Sequence, residues 1–269
     1  MQNSSSTEGL NDDPNSRKGA SIELPLPVQD SELFKHSATT YILNFLSDNP
    51  DINVSIRQLS KVVPLSERAT REAVNVLEAN TLVGTFHKGN ARRVHINRDR
   101  LDNPSDPIRS IPQTEFQTPV RVACCYITEE LEDVKGIILF GSVARGEADR
   151  QSDIDLWVLV GDNHMQQRHS ANKLAKYLDG LQIPPTIAVA DALDTDFETG
   201  WDEVKEILEA DEEDWASAQR YSFEILVETP QSIINQSNRV DIEELFGEGI
   251  TLSSSETLDR TKLEVLSSE

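Results

Sequence analysis

The stretch Gly136–Val160, GIILFGSVARGEADRQSDIDLWVLV, constrains the chain most. It reads as an apolar strand over Ile137–Phe140, a tight Gly141–Ser142 turn, a short polar helical segment and a second apolar strand bearing Asp153 and Asp155. Side chains on a strand alternate between faces, so carboxylates at i and i+2 point the same way. On a buried strand two such charges repel each other and lose their water, unless they are protonated or bridged by a cation. A divalent metal ion is the simplest expectation. The Gly-Ser turn, set between a strand and a helix, offers backbone N–H groups and a positive helix end to a polyphosphate. Glycine lets the backbone approach closely, the Ser142 hydroxyl adds a donor and Arg145 adds charge.

The chain's 269 residues leave room for two compact domains. No apolar run is long enough to span a bilayer, and MQNSSSTEGLNDD at the start lacks the basic flank and apolar segment of a signal peptide. The expectation is a soluble, cytoplasmic protein with no membrane partner. Cys124 and Cys125 are adjacent, which argues against a disulfide framework or a zinc site; with Val120, Ile127 and Leu131 at helical spacing they read as core filler. The 47 Asp+Glu against 25 Lys+Arg give a net charge of −22, which repels nucleic acid and phosphates at low ionic strength. At molar salt the Debye length shrinks to roughly 3 Å and that repulsion is screened. Because the acid is spread along the whole chain, adaptation to a salt-rich cytoplasm is expected.

Residues 1–30 are rich in Ser, Asn, Asp and Pro without apolar periodicity and read as disordered. From Ser37, a candidate N-cap, Ala38, Ile42, Phe45 and Leu46 share a helical face. Ser55 and Gln58 have capping-box spacing for a second helix, and Ser66 caps a third whose Ala69, Ala73, Val76 and Leu77 are expected to turn inward. Two strand-like pieces, 82–87 and 93–96, flank the turn residues Lys88-Gly89-Asn90-Ala91. Three helices and a hairpin over residues 31–98 resemble the winged helix-turn-helix family. That resemblance implies a third helix in the major groove, with Arg68, Arg71 and Asn75 exposed, and a wing presenting Lys88, Arg92 and Arg93 to phosphates. The alternative is a set of ordinary solvated arginines on a module that mediates dimerisation or partner binding.

Residues 99–119, with four prolines, read as a linker to a second domain over 120–269. After the opening strands come a polar helix over 165–181, a strand over 186–190 and an acidic helical insert over about 192–220. The strand YSFEILVE places Glu224 among Phe223, Ile225 and Leu226, where a charge is expensive without a partner. Glu224 is therefore the candidate third metal-site carboxylate, with Glu228 on the same strand face a weaker one. A helix over 241–246, a strand over 250–252 and a helix over 255–266 complete the pattern.

The segment FGSVARGEADRQSDIDLWV resembles the polymerase β-type nucleotidyltransferase superfamily, whose pattern is an apolar residue, Gly-Ser, a spacer and Asp-apolar-Asp. It is most similar to the minimal nucleotidyltransferases, with GSxARG followed by SDIDL, and the acidic composition resembles a haloarchaeal nucleotidyltransferase-domain protein. The resemblance implies an α+β fold, a winged helix-turn-helix followed by a mixed sheet flanked by helices. It also implies an NTP, expected to be ATP, on Gly141, Ser142 and Arg145. Mg²⁺ or Mn²⁺ would sit on Asp153 and Asp155, and Glu224 stands where the family's third carboxylate is usually Asp. Minimal nucleotidyltransferases include antitoxins that adenylylate a partner toxin, so a partner protein's hydroxyl is one acceptor the resemblance implies. The competing expectation is a DNA-binding transcriptional regulator whose nucleotidyltransferase fold senses nucleotide or is vestigial.

Overall fold

The computed structural model describes residues 26–28, 33–34, 37–98, 106–184, 187, 200–209, 219–235 and 241–267. Most of the stretch read as disordered, the strand read over 186–190 and much of the acidic insert lie outside these residues.

Local capping sets the first elements. Helix α1 (Ser37–Asp48) starts at Ser37 itself. The short strand β1 (Val54–Ser55) leads into α2 (Ile56–Leu59), closed by the full Ser55–Gln58 capping box. Ser66 Oγ accepts from Ala69 N to start α3 (Glu67–Ala79). The buried face of α3 is Thr70, Ala73, Val74 and Leu77, so the expected inward Val76 instead lies 41% exposed. Strands β2 (Val83–Lys88) and β3 (Ala91–Ile96) form a hairpin with Lys88 opposite Ala91. Its two-residue turn needs Gly89 at φ +62°. β1 adds to the other edge of β3, giving a small sheet of order β1-β3-β2.

Within the stretch read as a linker, residues 106–116 form two 3-10 turns whose Ile108, Ile111 and Phe116 are buried. Helix α4 (Gln117–Glu130) follows, then β4 (Val134–Phe140), α5 (Gly141–Arg145), β5 (Asp153–Val160) and α6 (His164–Gly180). The acidic stretch contributes α7 (Trp201–Glu209), anchored by Lys205 and Trp201 Nε1 on Glu129. Strand β6 (Ser222–Glu228) and α8 (Pro230–Asn235) precede a π-helical turn (Glu243–Glu248), β7 (Ile250–Ser253) and α9 (Glu256–Ser267). The main sheet has the order β6-β5-β4-β7; β5 and β6 are parallel, the other pairs antiparallel.

Strand alternation gives this sheet two apolar faces. One, with Leu139, Ile154, Leu156, Val158, Phe223 and Ile225, packs against α4, α6 and α7, and Cys124 and Cys125 lie half-buried and unbridged against it. The other carries Ile138, Trp157 and Leu159, and its cover includes residues of α1, α2 and α3. Residues 37–98 thus share one core with the sheet, with α9 and the π-helical turn between them. At this junction Lys262 is 1% exposed; its Nζ donates to Asn49 Oδ1 and to Thr251 Oγ1 at 2.8 Å and lies 3.9 Å from Asp48 Oδ2. Asp48, at the end of α1, accepts from Thr251 N at 2.7 Å. Burial pushes the Asp48 pKa up and the Lys262 pKa down, and each charge opposes the shift of the other.

Candidate active site

The motif folds so that a turn and two carboxylates meet at one end of the sheet. Phe140, the last residue of β4, pairs with Asp155 on β5. Gly141 then turns the chain into α5 at φ +73°, and a Cβ there would collide with Asp155 Oδ2. Both the backbone conformation and the close approach require glycine. Ser142 is half-buried, and its hydroxyl has no hydrogen-bond partner among the described residues. Gly146, also at φ +73°, stops α5 after five residues, with Glu147 N donating to Ser142 O at 2.9 Å.

Asp153 and Asp155 share a strand face, as the alternation predicts, but that face of β5 is buried only beyond them: Asp153 is exposed and Asp155 half-buried. Burial, with Glu224, Asp153 and Glu244 adding like charge, pushes the Asp155 pKa up to about 6, while Arg145 opposes the shift. Glu224 is the register partner of Asp155 on the edge strand β6. It is exposed, not wedged into the core, because its face of β6 is uncovered at that end. Glu224 is therefore not the buried charge expected among Phe223, Ile225 and Leu226, and it lies beside Asp155 in the parallel pairing. Glu228 pairs with Leu159 at the other end of the strand, accepts from Ser232 Oγ and lies 3.5 Å from His164 Nε2, away from the site.

The donor set is one of hard carboxylate oxygens, as Mg²⁺ requires, and the crowding of like charge on Asp155 is what a cation would relieve. Among the described residues no group of three or more His, Cys, Asp or Glu side chains is gathered to hold a metal ion. Two carboxylates on one strand face fit a different kind of site, since Mg²⁺ commonly takes one or two carboxylates and completes its shell with substrate phosphates and water.

Arg145 is the cation of the site. Its Nε donates to Glu147 Oε2 at 3.0 Å, and its Nη1 to Glu244 Oε1 at 3.1 Å and Glu248 Oε2 at 3.4 Å. Burial works against its charge, but these carboxylates hold its pKa above the usual value. Glu244 and Glu248 were not singled out from sequence; their four-residue spacing on one helical face was the available signal. Beside Arg145 lies a cavity of about 280 Å³, lined by Tyr41, Asn44 and Asp48 of α1, Glu147, Glu248 and Thr251. Gly141, Ser142, Asp153, Asp155 and Glu224 do not line it.

The candidate nucleic-acid residues are only partly gathered. On α3, Arg68 and Arg71 have side chains 90% and 61% exposed and pair with Glu72 and Glu67. Asn75 accepts from Arg92 Nη1 at 2.7 Å, and Arg92 also pairs with Glu78 at 2.5 Å. Lys88 is exposed beside the hairpin turn. Arg93 is directed toward Asn53 O and Gln58 Oε1, on the side of β1 and α2.

Among the described residues no helix is long and apolar enough to cross a membrane. No curated protein and no solved structure matches the chain. The family model described as nucleotidyltransferase domain matches residues 124–218, which contain Gly141, Ser142, Arg145, Asp153 and Asp155 and end six residues before Glu224. In that span the chain is similar to a nucleotidyltransferase domain, and nucleotidyl transfer is the general activity that the match supports.

Proposed function

We propose that the chain is a divalent-metal-dependent nucleotidyltransferase that transfers a nucleoside monophosphate from an NTP, with ATP the expected donor, to a hydroxyl acceptor. The reading is carried by one observation: the Gly141–Ser142 turn lies so close to Asp155 that a Cβ at 141, strained at φ +73°, would run into the carboxylate. The turn we read as phosphate-binding thus lies next to one of the carboxylates we read as metal ligands. In this reading the Gly141 backbone, the free Ser142 hydroxyl and Arg145 hold the triphosphate. Asp153 and Asp155 would hold Mg²⁺ or Mn²⁺, and Glu224, the register partner of Asp155, is the third carboxylate of the reading although no three-ligand group is gathered among the described residues. Bound there, the metal would supply Lewis-acid polarisation of the phosphoryl group and a lower pKa for the acceptor hydroxyl. The acceptor oxygen bonds to the α-phosphorus as the bond from that phosphorus to the bridging oxygen breaks. Pyrophosphate leaves with the electron pair, and the acceptor's proton passes to Glu224. A hydroxyl on a partner protein is the acceptor class we favour.

The test uses labelled NTPs with Mg²⁺ and cell extract at molar salt. Label should pass to an acceptor identifiable by mass spectrometry and should be lost in Asp153→Ala with Asp155→Ala. Equal labelling by wild type and double variant would refute the enzymatic reading.

A second reading concerns residues 37–98, which we read as a winged helix-turn-helix. The exposure of Arg68, Arg71 and Lys88 favours contact with DNA phosphates. The glutamates paired with both α3 arginines weigh against it, since DNA must compete with them for each cation. Gel retardation at high salt decides: the DNA reading needs retention that Arg68→Ala with Arg71→Ala removes.

A further inference from the structure

A guanidinium has five N–H donors in a planar fork. In Arg145 the single Nε–H is taken by Glu147, and Nη1 by Glu244 and Glu248. Nη2 has no partner among the described residues, so its two N–H donors stay unassigned. The two carboxylates on Nη1 come from the π-helical turn, which is fixed on several sides. Asp241 Oδ1 accepts from Glu243 N and Glu244 N at 3.1 Å each. Phe246 is buried edge-on to Trp157, with ring centroids 6.0 Å apart. A Cβ at Gly247 would strike the Val62 carbonyl, so the end of the α2 region lies directly against the turn.

We propose that Glu244 and Glu248 are positioning residues for the nucleotide site: they fix the Arg145 guanidinium so that Nη2 is presented to a phosphate oxygen. The inference rests on the reading of Arg145 as a triphosphate ligand. It adds that the site is built in part by a turn about a hundred residues downstream, seated against the N-terminal module. Carboxylates near a triphosphate also repel it, an effect of opposite sign. The two effects separate with salt, because at molar ionic strength the Debye length is roughly 3 Å and through-solvent repulsion is screened while the hydrogen-bonded orientation of Arg145 is not.

The experiment measures ATP·Mg²⁺ binding to the full chain in 1 M KCl, on variants whose melting is checked first. Arg145→Ala should weaken binding about ten- to hundredfold, the loss of a charged hydrogen-bonding partner. Glu244→Ala with Glu248→Ala should weaken it about five- to tenfold, and the same pair changed to Gln, which keeps an acceptor for Nη1, should stay within about twofold of wild type. In the Arg145→Ala background the alanine pair should have no further effect. Should the pair fail to fold, Glu147→Ala, at a side chain 69% exposed, tests the Nε contact and should weaken binding measurably. The proposal is overturned if the alanine variants bind as tightly as wild type or tighter, or lose the same factor without Arg145. If wild type binds none of ATP, GTP, CTP or UTP, the nucleotide reading itself falls, and this inference with it.

Discussion

Replacing Lys262 by Met tests how residues 37–98 are joined to the sheet. Met keeps the unbranched apolar stem beside Phe246, whose ring centroid is 6.0 Å from Nζ, and removes the charge together with the donors to Asn49 and Thr251. Asp48, its side chain 20% exposed, is then left with contacts from Thr251 and from Asn49 Nδ2, and Asn49 Oδ1 loses its donor. Removing one partner of a buried ion pair destabilises by about 3–5 kcal/mol, because the remaining charge is uncompensated. For a chain of this size each kcal/mol lowers Tm by about 2–4 °C, so the expected fall is about 6–20 °C. Asp48 can answer by taking up a proton. Its folded pKa would rise further above the unfolded value, so the penalty should be smallest at acid pH and grow as pH rises through that pKa. Asp48→Asn with Lys262→Met should recover most of the loss, since a neutral amide is less costly to bury than a lone carboxylate. The assay is calorimetry at fixed molar salt and pH 7, and wild type should melt in one transition because one core spans both parts. A single variant within about 1 kcal/mol of wild type, or a double variant as unstable as the single, would refute the account of the junction.

Three further outcomes are expected. Asp155 has a folded pKa of about 6 against an ordinary 3.8, so without divalent metal its burden is absent below the unfolded pKa and complete above the folded one. Discounted for half-exposure it is about 1 kcal/mol, so in chelator Asp155→Asn should raise Tm by about 2–4 °C at pH 7.5 and leave it unchanged at pH 3.5; equal melts at both values would refute this. Gly141→Ala should cost about 1–3 kcal/mol of stability from backbone strain and abolish nucleotide binding by displacing Asp155, as chemical denaturation and an ATP titration would report. With a net charge of −22, stability should rise from low to molar salt, and a higher Tm in low salt would sink the halophilic expectation.

What could be read in advance was what is settled locally. The Ser55–Gln58 box, the Ser66 cap and the Gly89 turn each close within a few residues, so the residues that form them suffice. Strand alternation likewise put Asp153 and Asp155 on one face. Alternation does not say which end of that face another element covers, and so Glu224 was expected inside and lies exposed. Helix α3 was read with Val76 inward because apolar spacing alone admits more than one stripe; packing against α1 and α2 selects Thr70, Ala73, Val74 and Leu77. Lys262 occupies the inward stripe of α9 with Leu258, Thr261, Val265 and Leu266, a charge where the period demands an apolar residue. Its partners Asp48 and Asn49 are more than two hundred residues away, and no local rule connects them. Glu244 and Glu248 are legible as one helical face, but their meaning depends on Arg145.

The shared core also governs how the chain is made. Residues 37–98 leave the ribosome well before part of their cover, which includes Phe246, Leu258, Val265 and Leu266. At about 5–20 residues per second, the interval from residue 98 to residue 266 is roughly 8–34 s. Through that interval the nascent module holds an apolar surface that the sheet, the π-helical turn and α9 come to cover. A chain stopped before α9 would therefore keep part of that surface open, and α9 acts as an assembly checkpoint for residues 37–98.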